Sequence, residues 1–121
     1  MGLYNFDPLF VPSIKAGNTT HTIRRVRQHP DEAGNTLHLY MGLRTRSVEL
    51  IMRVPCVKVE EIRIGRRPQT IHIQGEQLSS DECEAFALQD GFSSFVEMMA
   101  YWHGRLPFKG HLIHWKYPEG K

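Results

Sequence analysis

The chain has 121 residues, 40% of them hydrophobic, with 15 Lys+Arg against 13 Asp+Glu and a formal charge of +2. That length suits one domain with a single apolar core, taken as 1–121 with its core at about 10–117, and leaves no room for a second. No apolar run approaches the roughly eighteen residues of a membrane helix, and the amino terminus lacks a basic-then-apolar signal pattern, so the sequence reads as cytoplasmic with no membrane partner.

Met1 to Pro12, MGLYNFDPLFVP, is aromatic and proline-punctuated without a clean period, and reads as an irregular arm. Phe10, Val11 and Ile14 lead into Ala16-Gly17-Asn18, which is turn chemistry because glycine and asparagine tolerate positive φ. From Thr19 the β-branched residues Thr19, Thr20, Thr22, Ile23 and Val26 predict a strand near 20–27. Alternation puts Thr20, Thr22 and Arg24 on one face and His21, Ile23 and Arg25 on the other. Hydroxyls beside a guanidinium suit a polar ligand or a phosphate, and they equally suit a solvated edge strand.

Gln28 to Asn35 is a loop by composition, and Thr36 to Met41 alternates Leu37, Leu39 and Met41 against His38 and Tyr40 as a half-buried strand does. Gly42 to Arg46 breaks the pattern with two arginines, Arg44 and Arg46, a second candidate for ligand contact. Strands are predicted at 47–54 and 57–64, with a bulge near Glu60-Glu61 reconciling the phase of Val57 and Val59 with that of Ile62 and Ile64. Gly65-Arg66-Arg67-Pro68 then turns into a strand at 69–74, a hairpin with a basic tip.

Ser79-Ser80-Asp81-Glu82 has capping-box form, and Cys83, Phe86 and Ala87 follow at helical spacing, predicting a helix near 80–90 that stops at Gly91. Ser94 and Glu97 repeat the cap before Phe95, Met98, Met99 and Trp102, a core-facing stripe on a helix near 94–103. His111 to Tyr117 gives a closing strand. Strands, then two short helices, then a last strand describe an α+β fold, a barrel with the helices packed at one end.

Charge is uneven along the chain. Residues 1–67 carry 11 Lys+Arg against 6 Asp+Glu, a balance of +5, and residues 68–121 carry 4 against 7, a balance of −3. A basic half can steer a polyanion to one face, and arginine provides phosphate forks. Cys56 and Cys83 have no metal-knuckle or disulfide-framework spacing and read as buried thiols. His111 and His114 point to opposite faces of a strand and form no chelating pair, so no metal is expected. No G-x-S-x-G, Walker or dinucleotide-binding loop is present, so no cofactor is expected either.

Ala16-Gly17-Asn18-Thr19-Thr20-His21-Thr22-Ile23-Arg24 resembles the opening motif of ASCH domains, a PUA-like β-barrel family that commonly reads A-G-x-K-T-x-T-I-R. Phe86 to Phe92, Glu97 to Trp102 and Phe108 to Trp115 are similar to the helical segment and closing strand of small ASCH proteins. The resemblance implies a PUA-like barrel and two kinds of function. One is a binding module for RNA or a modified nucleoside, with Arg24, Arg25, Arg27, Arg44 and Arg46 on phosphates and Thr20 and Lys15 beside them. The other is an amidohydrolase that deacetylates an acetylated cytidine nucleoside, in which Thr22 matches the motif's threonine and Asp90 falls where its acidic residue is expected. Apart from the resemblance, a third reading stays open, an accessory protein-interaction domain with a vestigial pocket. The motif's lysine position holds Thr19, a hydroxyl in place of an amine. Lys15 could replace that amine only if its loop folds back, and a carboxylate that activates the hydroxyl of Thr22 must stand within hydrogen-bond reach of it, directly or through one water.

Overall fold

One strand of 16 residues, Glu49–Ile64, runs through the whole sheet of the computed structural model, which describes residues 2–117. In chain order the elements are β1 (Gly2–Phe6), a 3-10 turn (Pro8–Phe10), α1 (Val11–Lys15), β2 (His21–Arg24), β3 (Thr36–Met41), β4 (Glu49–Ile64), β5 (Ile71–Ile73), β6 (Glu76–Gln77), α2 (Ser80–Gln89), α3 (Phe95–Trp102), a second 3-10 turn (His103–Arg105) and β7 (Phe108–Trp115). The fold is α+β, with a mixed seven-stranded sheet and three short helices among the described residues.

The first half of β4 pairs antiparallel with β3, and β1 adds to β3 in parallel, from Gly2↔Leu37 to Phe6↔Met41. The second half pairs with β7, from Cys56↔Trp115 to Ile64↔Phe108, and its end also pairs with β5. Strand β2 lies beyond β7, His21 opposite His114. The predicted strands at 47–54 and 57–64 are thus one strand, and the predicted irregular arm contains β1, in which Gly2, Tyr4 and Phe6 point inward and Leu3 and Asn5 outward.

The bulge lies between Cys56 and Lys58 and not near Glu60-Glu61. Its extra residue, Val57, is exposed, and beyond it the even-numbered side chains change face. Val54 and Cys56 join one hydrophobic cluster, with Tyr4, Phe6, Ile14, Leu37, Leu39, Ile113 and Trp115. Ile62 and Ile64 join the other, with Ile23, Ile71, Leu112 and the helices. The sheet is buried on both faces, so Val59 packs to one side and Ile62 and Ile64 to the other without a second bulge.

Helices α2 and α3 cover the second cluster through Cys83, Phe86, Ala87, Met98, Met99 and Trp102. Their starts are fixed locally. Ser79 Oγ accepts from Glu82 N at 3.2 Å while Glu82 Oε1 accepts from Ser79 N at 2.8 Å, the reciprocal cap read from the sequence. Ser94 Oγ accepts from Glu97 N, whereas the Glu97 carboxylate turns to Ser93 N. Gly91, at φ 96°, ends α2, and a Cβ there would stand 2.9 Å from the Phe10 ring. No helix among the described residues is long and apolar enough to cross a membrane, and Cys56 and Cys83 are free and buried.

The backbone pairing of the sheet does not close into a barrel, so the structure shows the expected α+β class without the barrel's closing pair. Strand β1 ends the main path of the sheet, β6 its other end, and β2 ends the branch through β7; no backbone pairing joins β1 to β2. Side chains span the gap instead: Arg24 Nη2 donates to Asn5 O at 2.8 Å and Arg27 Nη2 to Leu3 O at 2.7 Å. The Arg27 guanidinium lies 3.9 Å from the Tyr4 ring centroid, and that of Arg24 lies 4.8 Å from Phe6. Tyr4 Oη in turn donates to buried Asp31 Oδ2 at 2.5 Å. Asp31 fits there because residue 2 is glycine, a Cβ at which would fall 2.1 Å from Asp31 Oδ2.

A hydrogen bond contributes about 0.5–1.5 kcal/mol net and both of these are exposed, so Arg24→Met and Arg27→Met should each lower the unfolding free energy by no more than roughly that much in urea titrations. Hydrogen exchange should show β1 losing protection before β4 does. Full stability in the double variant would show that the guanidiniums do not hold the gap.

Candidate functional site

The gap between β1 and β2 opens into a cleft of about 1040 Å³. Its walls come from four places: β2 (His21 to Arg25), the end of β1 and its turn (Asn5, Phe6, Phe10), the loop after β3 (Gly42, Leu43, Thr45, Ser47), and the helical side (Asp90, Phe92, Tyr101, Arg105). Consecutive residues of β2 line it because the cleft runs along the edge of that strand left unpaired by β7.

Thr22 and Asp90, 68 positions apart in sequence, both line this cleft. No direct hydrogen bond joins them. Thr22 Oγ1 accepts from Arg24 Nε at 3.0 Å, and the short contact of Asp90 is with His21, Oδ1 to Nε2 at 3.1 Å. The contact lacks the in-line geometry of a hydrogen bond, but it sets the carboxylate against the buried Nε2. The His21 ring stacks on Phe86 at 4.7 Å, which fixes its plane. Burial raises the pKa of Asp90 above the ordinary aspartate value, against the lowering pull of His21 and Arg24. Behind His21, the ring of His114 meets it edge-on at 5.9 Å, and His114 Nε2 stands 2.7 Å from Glu60 Oε1. Burial lowers the pKa of His114 despite that carboxylate.

The arginines divide. Arg24 and Arg25 line the cleft, Arg24 half-buried and Arg25 exposed. Arg24 is pushed down to about 10 by burial and then by the neighbouring Arg27 charge. Arg27 is turned onto Tyr4 and Leu3, outside the cleft. Arg44 and Arg46 are exposed on the loop whose neighbouring residues form one wall. Lys15 and Thr20 are not part of the site. Lys15 reaches Glu49 at 3.6 Å, and Thr20 precedes β2, its carbonyl accepting from Trp115 N. Thr19, at the motif's lysine position, is buried with Oγ1 2.6 Å from Ser13 Oγ, and no lysine lines the cleft.

Sequence reasoning missed His21, Tyr101 and Arg105. Alternation assigned His21 to the face opposite Thr22, which matters little along an open strand edge. Tyr101 was detectable, since it lies off the Phe95–Met98–Met99–Trp102 stripe of α3 and an aromatic off its helix's core face needs another reason to be there. It is 40% exposed, braced by Phe10 at 5.7 Å and Phe92 at 5.3 Å. The Arg105 guanidinium lies 4.8 Å from its centroid and 4.5 Å from that of Trp102. No three His, Cys, Asp or Glu side chains gather as a metal set among the described residues. In comparisons with known proteins, the chain matches no family model, no curated protein and no solved structure.

An acid whose folded pKa is raised binds its proton more tightly in the native state. Its burial therefore costs nothing below the unfolded value of about 3.9 and destabilises increasingly as pH rises through the folded pKa. Asp90→Asn should remove this dependence, so its stability relative to wild type should grow from mildly acidic to neutral pH, measured by urea unfolding at each pH. A variant that loses relative stability on going to neutral pH would show that His21 holds the carboxylate charged.

Proposed function

We propose that the chain is a nucleobase-binding module that takes a modified nucleoside, or one nucleotide of an RNA strand, into the cleft between β2 and α3. The observation carrying this reading is that one cleft combines the exposed ring of Tyr101, the Asp90 carboxyl set against the buried His21 imidazole, and guanidinium groups at its edge. A base offers a π-face to an aromatic or guanidinium plane, and an edge of donors and acceptors to a carboxyl and an imidazole. Arg44 and Arg46, exposed beside the cleft, fit the phosphates of a strand whose base is held inside. The likeness of Ala16 to Arg24 to the ASCH opening motif supports the same reading, and we take the curled sheet as a PUA-like barrel whose last seam is made by side chains. An RNA or nucleoside partner is in keeping with a cytoplasmic location.

Binding is preferred to hydrolysis because the deacetylase motif needs an amine. Thr19 is committed to Ser13, and Lys15 to Glu49. Acetate release from acetylated cytidine should be absent for the native chain and measurable once Thr19→Lys supplies the amine. Native turnover that persists in Lys15→Ala would overturn this preference.

Nucleoside binding is read by titration calorimetry. Tyr101→Ala should weaken it by the roughly 1–3 kcal/mol that a base–aromatic stack contributes. For single-stranded RNA, replacing Arg44 and Arg46 with glutamine should lower the log–log salt slope by about 0.7 for each lost phosphate contact. Unaltered affinity in Tyr101→Ala would remove the stacking platform from the proposal.

A further inference from the structure

Arg24 is a half-buried cation without a counter-ion. No carboxylate lies within ion-pair distance of it or of Arg27 among the described residues. A guanidinium removed from water is costly unless paired, and a second one beside it adds repulsion. Its neutral contacts, Thr22 Oγ1 and Asn5 O, orient it without neutralising it, and they leave Nη1 with no partner. The acids that share the cleft make no direct ion pair with Arg24, although Asp90 acts on it through space. Asp7 Oδ1 accepts from Leu9 N, and Asp90 Oδ1 stands against His21.

We infer that the ligand brings the missing negative charge as a phosphate, seated on Arg24 and Arg25 and closed from the helical side by Arg105. The occupant is therefore a nucleoside 5′-monophosphate and not a neutral nucleoside. This rests on the nucleobase reading above and adds the charged half of the ligand. Three guanidiniums line one cleft, and a phosphomonoester, which is close to a dianion at neutral pH, matches more than one of them where a single carboxylate would not. Arg24 is held rigid by its two protein hydrogen bonds, so little side-chain entropy is lost when an anion arrives. Arg105 donates to Tyr101 O at 3.2 Å and rests on Tyr101 and Trp102, placing a cation next to the proposed stacking ring. The chemistry thus runs from base to phosphate across one concavity.

Titration calorimetry at low salt with nucleosides, their 5′-monophosphates, inorganic phosphate and a short single-stranded RNA tests the inference. The monophosphate should bind about tenfold or more tighter than its nucleoside, the effect of one charge-assisted hydrogen bond. That ratio should fall toward one in Arg25→Gln/Arg105→Gln, two exposed positions whose replacement spares the β1–β2 gap, and it should shrink at high salt. Equal binding of nucleoside and monophosphate overturns the phosphate inference and leaves the base reading intact. RNA binding without monophosphate binding overturns it likewise. Phosphate or monophosphate binding without any base preference keeps the anion seat and overturns the base reading, and no binding of any probe overturns both.

Discussion

The bond from Arg24 to the Asn5 carbonyl is the constraint on which the rest of the molecule depends. An open sheet exposes backbone donors and acceptors on its outer strands, which closed barrels satisfy by pairing the first strand with the last. This chain leaves β1 and β2 unpaired and spans the space with guanidiniums. A side chain is longer than a backbone hydrogen bond, so the two edges stand apart, and the cleft is the space that remains. The same residue that completes the fold also sets the charge of the site.

The two faces of the sheet make this arrangement possible. Strand β4 feeds one hydrophobic cluster before its bulge at Val57 and, after it, that cluster through Val59 and the other through Ile62 and Ile64, so a single strand connects the β1 side with the helical side. Strand β2, with His21, Thr22 and Ile23 all buried, is anchored by β7 and by the helices, which frees its other edge to face the cleft. Asp90 reaches that edge because α2 ends at Gly91, placing its last side chains over His21 and Phe10.

Much of this was legible locally and little of it globally. The helices could be read because their signals, Ser79 with Glu82 and the Phe95–Trp102 stripe, are complete within a few residues. Strand β1 could not, because its partner is a parallel strand about 35 residues away and its inward residues begin with a glycine, which carries no hydrophobic signal. The bulge was placed wrongly because a change of phase was assumed to mean one buried face. Whether a sheet closes depends on twist and stagger, which periodicity does not encode. At the site, Thr22 and Asp90 line one cleft, while the contact of Asp90 with His21 depends on which edge of β2 lies open.

Phe10 packs against both hydrophobic clusters, lines the cleft, braces Tyr101 and occupies the space left by the missing side chain of Gly91. Four separate demands therefore meet in one ring on a short 3-10 turn. Evolutionary drift at this position is coupled: a smaller residue would loosen both cores and the cleft wall together, and a larger one would collide with the end of α2. Substitutions elsewhere in either cluster can be absorbed by their own neighbours, but those that shift this ring change the shape presented to a ligand. Mutational tolerance in the interior of this protein should thus be read as distance from Phe10 as well as depth of burial.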